Sequence, residues 1–529
     1  MDAISEARTQ RAHRNHEPRS APERSLYSLV CEQALRRPQA PFLYAHDRAP
    51  LTFSQLKLEV DRLLRALHTC GISRGDTVTL LLPDGPEMTV AAIAVSAGAI
   101  CAPLDPDLRE CELQRHFATV APKAVFATPA AAVRVSPLAR SLGIRVVELV
   151  PEKQSPAGAF GLKMHVAECG DVCPAAADDV ALALHTSGTC GSGKLVHLRH
   201  RNLLAAAGSI VEAVKLGPQD RSLTAMPLYH IHGLSTLMAS LVAGGSVICP
   251  GSFSVESFFE SAGRFGATWY SAAPAMHRMI LEQARRQPEH AARLRFRFIR
   301  SASAPMTPAL IDEIEQTFRT HFIEAYGMTE AGPQVASNRL PPWPRKRGSV
   351  GTPCGPEVSI LNSEGMELPP LAVGEIAIRG PNVIEAYADA AHQDSFVGNW
   401  LRTGDLGYLD VDGYLFVTGR LKDVINRGGR KVSPREVDEA LLEHPAVAEA
   451  VAFAVPHKVL GESIAAAVVL KPGFEGAGDV SEFERQLAQA ILTDVAKRLS
   501  AFKVPQSLTI LAAIPEAPGG KTRRSDVAA

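Results

Sequence analysis

Short apolar runs bounded by glycine or proline alternate with helix-period segments along most of this 529-residue chain, and that alternation narrows its fold more than any other feature. "DTVTLLLP", "APKAVFATP", "IRVVELV" and "GGSVICP" read as strands with no polar face. "SQLKLEVDRLLRALHTC" and "SVESFFESAGRF" space their apolar residues as a helix does, and "EMTVAAIAVSAGAI" is apolar all round. Strands buried on both faces need helices on each side, so the predicted class is α/β with mostly parallel sheets flanked by helices. Because single cores stop growing near about 250 to 300 residues, one undivided core is excluded.

The pattern changes near "TGDLGYLDVDGYLFVTGRLKDVINRGGRKVSP". "DVDG" reads as a hairpin turn. After "GRLKD" the order becomes helix, strand, strand, helix, strand, an α+β arrangement. The expected partition is a flexible tail over 1–24, a large N-terminal domain of several subdomains over 25–419, and a small mobile domain over 420–529. The charged, glycine-flanked "TGRLKD" supplies the hinge, near Lys422.

Lys and Arg total 55 against 56 Asp and Glu, a net charge of -1, so no overall field gathers nucleic acid and no nucleic-acid partner is expected. Nine scattered cysteines, with only Cys169 and Cys173 close together, read as reduced thiols rather than a disulfide framework or a zinc site. The first 24 residues hold no long apolar run. Longer apolar stretches elsewhere break at Gly or Pro before the ~20 residues a membrane span needs. No membrane anchor is expected, and the cytoplasm is the expected location.

"HTSGTCGSGKL" concentrates small and hydroxyl residues before a lysine. A backbone of that kind turns tightly and aims amides at phosphate oxygens, with Thr186, Ser187, Gly188 and Thr189 forming the cradle and Lys194 adding positive charge. Its spacing is not that of the common G-x-x-x-x-G-K-[ST] loop, and a structural Gly/Ser turn is the competing reading. Later segments add weight. "EAYGMTEAG" offers Tyr326 as an aromatic platform, Thr329 as a hydroxyl and Glu330 as a lone carboxylate for a hard divalent cation. In "TGDLGY", Asp405 suits two vicinal hydroxyls. Arg420 opens the hinge, and Lys521 sits in the glycine segment "EAPGGKTRR". Singly, each has an ordinary reading as a turn or surface residue.

In this order the motifs resemble the adenylate-forming superfamily of acyl-CoA ligases, carrier-protein adenylation domains and luciferases, over essentially residues 27–529. Its T-S-G-T-T-G-x-P-K-G loop corresponds to Thr186–Leu195, its Y-G-x-T-E to Tyr326–Glu330, and its T-G-D to Thr403–Asp405. The G-R-x-K-D hinge corresponds to Gly419–Asp423, the glycine turn to Gly428 and Gly429, and the P-x-x-x-x-G-K ending to Pro515–Lys521. "PLYHIHGL", "ATWYSAAPAMH" and "SNRLPP" look like oxalate and related small-acid CoA ligases.

The resemblance implies an acyl-CoA ligase working in two steps on a carboxylic acid, with ATP, Mg2+ and coenzyme A. A carboxylate attacks the α-phosphate of ATP to give acyl-AMP, with Lys521 bridging the reactants and Glu330 holding magnesium. The small domain then turns about Lys422, and a thiol attacks through a channel lined by the Gly428–Lys431 turn. His230 is the side chain that moves aside between the halves; His232 is either a pocket wall or core packing. Ser303 and Ala304 join the nucleotide-binding residues. The acyl pocket is expected around Ile231, Gly233, Ala325, Gly327, Gly332 and Pro333. No arginine stands out in the sequence as a clamp for a second carboxylate, and the histidine that oxalate-type ligases usually carry near Pro333 is absent. The expected substrate is therefore an apolar acid of some bulk, from a biosynthetic pathway.

Four residues depart from the family's loop: Cys190 for threonine, Gly193 for proline, Leu195 for glycine and Arg199 for a small hydroxyl residue. A thiol donates weakly. Glycine in place of proline costs up to about 1 kcal/mol of ordering entropy. Glu516 and Ala517 stand where lysine and threonine are common. One reading is that adenylation is impaired and a separate adenylating partner supplies acyl-AMP; the other is that the loop tolerates these changes. Transfer to a carrier protein and a non-catalytic nucleotide-binding role are further alternatives.

Overall fold

The computed structural model describes residues 24–163, 172–186, 193–474, 480–517, 521–522, 524 and 527. Helix limits follow local chemistry. Helix Phe53–Thr69 opens at Thr52, whose Oγ1 accepts from Gln55 N at 3.2 Å while Gln55 Oε1 accepts from Thr52 N at 2.9 Å. This reciprocal cap satisfies two donors that the first turn leaves unpaired. Helix Val255–Phe265 opens at Ser254 and stops at Gly266, whose φ of +64° suits a residue without a Cβ. Phe258, Phe259 and Ala262 form its buried face against Tyr270 and Phe296. Burying each such Phe contributes roughly 1.5–3 kcal/mol.

Among the described residues, a seven-stranded sheet runs in the order Phe160–Leu162, Arg145–Pro151, Ala124–Ala127, Thr77–Leu81, Ile100–Pro103, Val180–His185 and Leu195–Arg199. Its interior is parallel and its two outer pairings are antiparallel. A nine-stranded sheet holds Arg221–Thr224, Trp269–Ala272, Phe298–Ser301 and His321–Tyr326 side by side and parallel. The C-terminal ends of these strands carry the motifs singled out above. Helices Pro86–Ser96, His200–Val214 and Ile231–Ala243 bury apolar residues in the shared core.

A third sheet in the large part is antiparallel throughout: Glu357–Leu361, Gly374–Arg379, Trp400–Leu409, Phe396–Val397 and Leu415–Arg420. No α-helix separates its strands, so no crossover helices announce it in the sequence. The "DVDG" hairpin forms as expected, with Asp410 Oδ1 accepting from Asp412 N and Tyr414 N, both at 2.9 Å.

Strand Leu415–Arg420 leads through the short turn Leu421–Asp423 into a separate sheet. The expected helix, strand, strand, helix and strand appear as Pro434–Leu442, Val447–His457, Gly461–Leu470, Val480–Val495 and Ser507–Ile510. A hairpin of Ile425–Arg427 and Arg430–Val432 precedes them, too short to show in an apolar pattern. Ile425, Val437, Leu441, Ile464, Val468 and Ile491 give this unit its own core. Ser433 Oγ donates to Thr418 O at 2.8 Å, and Arg278 pairs with Glu449 at 3.1 Å, tying the unit to the larger part. No helix among the described residues is long and apolar enough to cross a membrane.

Candidate active site

The edge strand Leu195–Arg199 and its neighbour Val180–His185 close the base of the proposed phosphate loop. Thr186 N donates to Lys194 O at 2.9 Å, and Lys194 N donates to Thr186 Oγ1 at 3.0 Å. Ser187, Gly188, Thr189 and Cys190 lie outside the described residues. Two of the departures are explained. A Cβ on Gly193 would stand 2.0 Å from Thr186 O, so the close approach of these chains requires glycine there. Leu195 packs against Ile100, Ala102, Val120 and Ala183, which accounts for its bulk as core packing rather than as an intrusion on the loop.

Lys194 reaches inward. Its Nζ lies 3.1 Å from Ser395 Oγ and 4.3 Å from the centre of the Tyr387 ring. Tyr387 in turn donates to Glu330 Oε1 at 2.8 Å. Glu330 is 5% exposed, on the short 3-10 turn Thr329–Ala331. Burial pushes its carboxyl above the ordinary range, opposed by the Tyr387 hydroxyl and the Lys194 charge. Asn382 holds the following chain, donating to Ala331 O at 2.8 Å and Gln334 O at 2.7 Å. Tyr387, Ser395 and Asn382 are absent from the sequence reading, since no local pattern links them to Glu330.

A second cluster joins Tyr326, Asp405 and Arg420. Tyr326 donates its hydroxyl to Asp405 Oδ2 at 2.6 Å, and Arg420 Nε lies 3.0 Å from Asp405 Oδ1. Burial and the carboxylate push the Tyr326 hydroxyl far up, and Asp405 raises Arg420. Asp405 N donates to Thr403 Oγ1 at 3.1 Å, fixing the turn.

His230 caps helix Ile231–Ala243, its Nδ1 accepting from His232 N at 3.2 Å. His232 is buried, its Nδ1 3.0 Å from Ser303 Oγ and its Nε2 2.7 Å from Ser271 Oγ. Ser303 has φ +81°, a costly conformation for a residue with a Cβ, next to Ala304 in the loop after Phe298–Ser301. Arg300, at the end of that strand, donates to Ser271 Oγ and to Gln334 Oε1. An arginine therefore stands beside Ser271 and Gln334, although none stood out in the sequence as a clamp for a second carboxylate. Its signal was a single basic residue inside a buried strand.

Three glycines of the expected pocket face backbone or helix instead of open space. A Cβ on Gly327 would lie 1.4 Å from Pro333 O, and one on Gly233 would lie 2.2 Å from Pro227 O. On Gly332, at φ +65°, it would meet Ala206 Cβ at 3.0 Å. Ile231 and Ala325 are buried. In the small unit Gly428 and Gly429 take φ of +59° and +84° and close the hairpin, as a two-residue turn demands. Lys422 lies on the turn Leu421–Asp423, and the Lys521 backbone pairs with Ala517.

The description "AMP-binding enzyme" matches residues 30–388, and "AMP-binding enzyme C-terminal domain" matches residues 436–521. This chain belongs to the AMP-binding enzyme family. A probable CoA ligase of Humulus lupulus is 37% identical over 90% of this chain and 91% of its own. An oxalate-CoA ligase of Arabidopsis thaliana is 36% identical, covering 95% and 98%. A sulfoacetate-CoA ligase of Cupriavidus necator is 34% identical, covering 94% and 96%. Among solved structures, ATP-bound MatB of Rhodopseudomonas palustris superposes with a TM-score of 0.83 at 26% identity, covering 96% and 98%. The o-succinylbenzoate CoA synthetase of Bacillus subtilis, holding its acyl-adenylate, gives 0.79 at 28% identity, covering 96% and 98%. The enzyme is an AMP-forming acyl-CoA ligase of the adenylate-forming superfamily, and its cofactors are ATP, Mg2+ and CoA.

Proposed function

We propose that this ligase carries out both half-reactions itself, adenylating a carboxylic acid and passing the acyl group to CoA. The carrying observation is the buried Glu330 carboxylate, held between Tyr387 and Lys194 at the closed base of the phosphate loop. Glu330 fits a magnesium site that borrows most of its ligands. Among the described residues no cluster of three or more ligating side chains exists, and Mg2+ usually takes one or two carboxylates and fills its shell with phosphate oxygens and water. When bound, the ion neutralises charge on the phosphates. Lys194 supplies a fixed positive charge nearby, and such preorganised charge is where most of the rate enhancement arises.

In the first step a substrate carboxylate oxygen bonds to the α-phosphorus and the bond to pyrophosphate breaks. Tyr326, Asp405 and Arg420 are proposed to hold the nucleotide; Asp405 then exchanges part of its present bonding for ribose hydroxyls. Lys521 is proposed to bridge the carboxylate and the α-phosphate. In the second step a thiolate attacks the acyl carbonyl and AMP leaves, with Lys422 as hinge and the Gly428–Gly429 turn beside the thiol path. For His230 to swing aside it gives up its bond to His232 N, at a cost of about 1 kcal/mol.

The competing reading, thioester formation only from acyl-AMP delivered by a partner, keeps Cys190, Arg199, Glu516 and Ala517 as its support. Gly193 and Leu195 no longer support it, because the fold itself calls for them. Arg300, buried beside Ser271 and Gln334, weighs against one premise of the apolar-acid reading, while the absence of a histidine near Pro333 still supports it. The test measures pyrophosphate and CoA thioester from free acids with ATP, Mg2+ and CoA, in parallel with thioester from supplied acyl-AMP. Pyrophosphate and thioester from free acids support the full ligase; thioester from acyl-AMP alone would refute it.

A further inference from the structure

Arg300 is 2% exposed, inside the nine-stranded sheet. Its Nη1 donates to Ser271 Oγ at 3.1 Å and its Nη2 to Gln334 Oε1 at 2.9 Å. Both partners are neutral. A guanidinium carries five N–H donors, and it makes no further hydrogen bond and no ion pair among the described residues. Cys354 offers no counter-charge, because burial pushes its thiol up and keeps it protonated.

Desolvation lowers Arg300 only to about 10, so it stays charged at neutral pH. Holding a cation out of water without a counter-ion is unfavourable. A hydroxyl and an amide oxygen do not require a cation; a neutral donor would serve them as well. The surroundings suit an anion that arrives with a ligand. Ser271 also lies 2.7 Å from His232 Nε2, and Gln334 sits four residues past Glu330 on the turn that Asn382 clamps. Protein backbone already fills the space next to Gly327 and Gly233, so these glycines add no room for a long acyl chain.

We propose that Arg300 determines acyl specificity: its guanidinium receives a second anionic group, carboxylate or sulfonate, of a short acid whose first carboxylate is adenylated. This deepens the ligase reading and rests on it.

The test compares wild type, Arg300→Gln and Arg300→Lys on matched probes: oxalate, malonate, succinate and sulfoacetate, against the monomethyl esters of the dicarboxylates and propionate. Readouts are AMP release, CoA thioester by mass, and melting temperature with and without each acid. In wild type, the preferred doubly charged acid should exceed its singly charged match by about 100-fold or more in kcat/KM, since a site built for a polar group rejects the analogue lacking it. Arg300→Gln should bring that ratio toward unity, and Arg300→Lys should leave part of it. Without acid, Arg300→Gln should melt no lower than wild type, whereas a merely structural arginine would show a clear loss. Singly charged acids used as well as doubly charged ones would overturn the proposal and leave the ligase reading intact. If no acid gives a thioester but a doubly charged acid raises the melting temperature of wild type and not of Arg300→Gln, the recognition stands and the ligase reading falls. Neither a product difference nor a thermal difference between wild type and Arg300→Gln would overturn it.

Discussion

Tyr387 donates its hydroxyl proton to Glu330 Oε1 over 2.8 Å, joining residues 57 apart in the chain. Burial pushes the Glu330 carboxyl up, and this bond is one of the contacts that hold it down. A hydrogen bond to a charged group contributes about 1.5–3 kcal/mol, so Tyr387→Phe should slow pyrophosphate release roughly 10- to 100-fold at neutral pH. Glu330 acts ionised, so activity should rise as pH climbs through its pKa. Losing the Tyr387 donor should move that acid limb further up. An unmoved limb in a pH profile of pyrophosphate release would show that another group titrates.

Lys521→Ala should separate the two half-reactions. Loss of a strong transition-state donor typically costs about 100-fold or more. Adenylation should fall by that much, while thioester formation from supplied acyl-AMP should persist. Equal damage to both steps, measured in parallel assays, would refute the bridging role.

Gly193→Pro restores the family's usual residue and should still do harm. Its ring carbon would crowd Thr186 O, which a Cβ approaches to 2.0 Å. We expect a lower melting temperature and slower ATP–pyrophosphate exchange. Cys190→Thr should act in the other direction, because a hydroxyl donor replaces a weak one at about 0.5–1.5 kcal/mol, a gain of roughly 2- to 10-fold in exchange. A faster Gly193→Pro enzyme would mean that the loop, not its base, limits adenylation.

Glu324 should make stability depend on pH. Burial raises its carboxyl from 4.5 to about 7, against the pull of Arg435, Arg347 and Arg345. The folded state then binds the proton more tightly than the unfolded chain. That stabilisation is complete below about 4.5 and lost as pH rises through about 7. Glu324→Gln should flatten the melting-temperature profile across this window and exceed wild type at pH ~8 by on the order of 2–3 kcal/mol. Identical profiles would show that the arginines hold Glu324 ionised.

The sequence by itself determined the α/β class, the parallel strands, the change of pattern near Gly419 and the family, because hydrophobic period and glycine punctuation act over short stretches of chain. Motifs such as Tyr326–Glu330 and Thr403–Asp405 were legible for the same reason: each lies on one tight turn. Only the tertiary structure decided what those motifs touch. It brought Tyr387 and Lys194 to Glu330, closed Asp405 between Tyr326 and Arg420, and set Gly193 against Thr186 O. It also placed Arg300 among neutral partners in the sheet interior. Burial and long-range pairing depend on which strands become neighbours, and no local spacing encodes that.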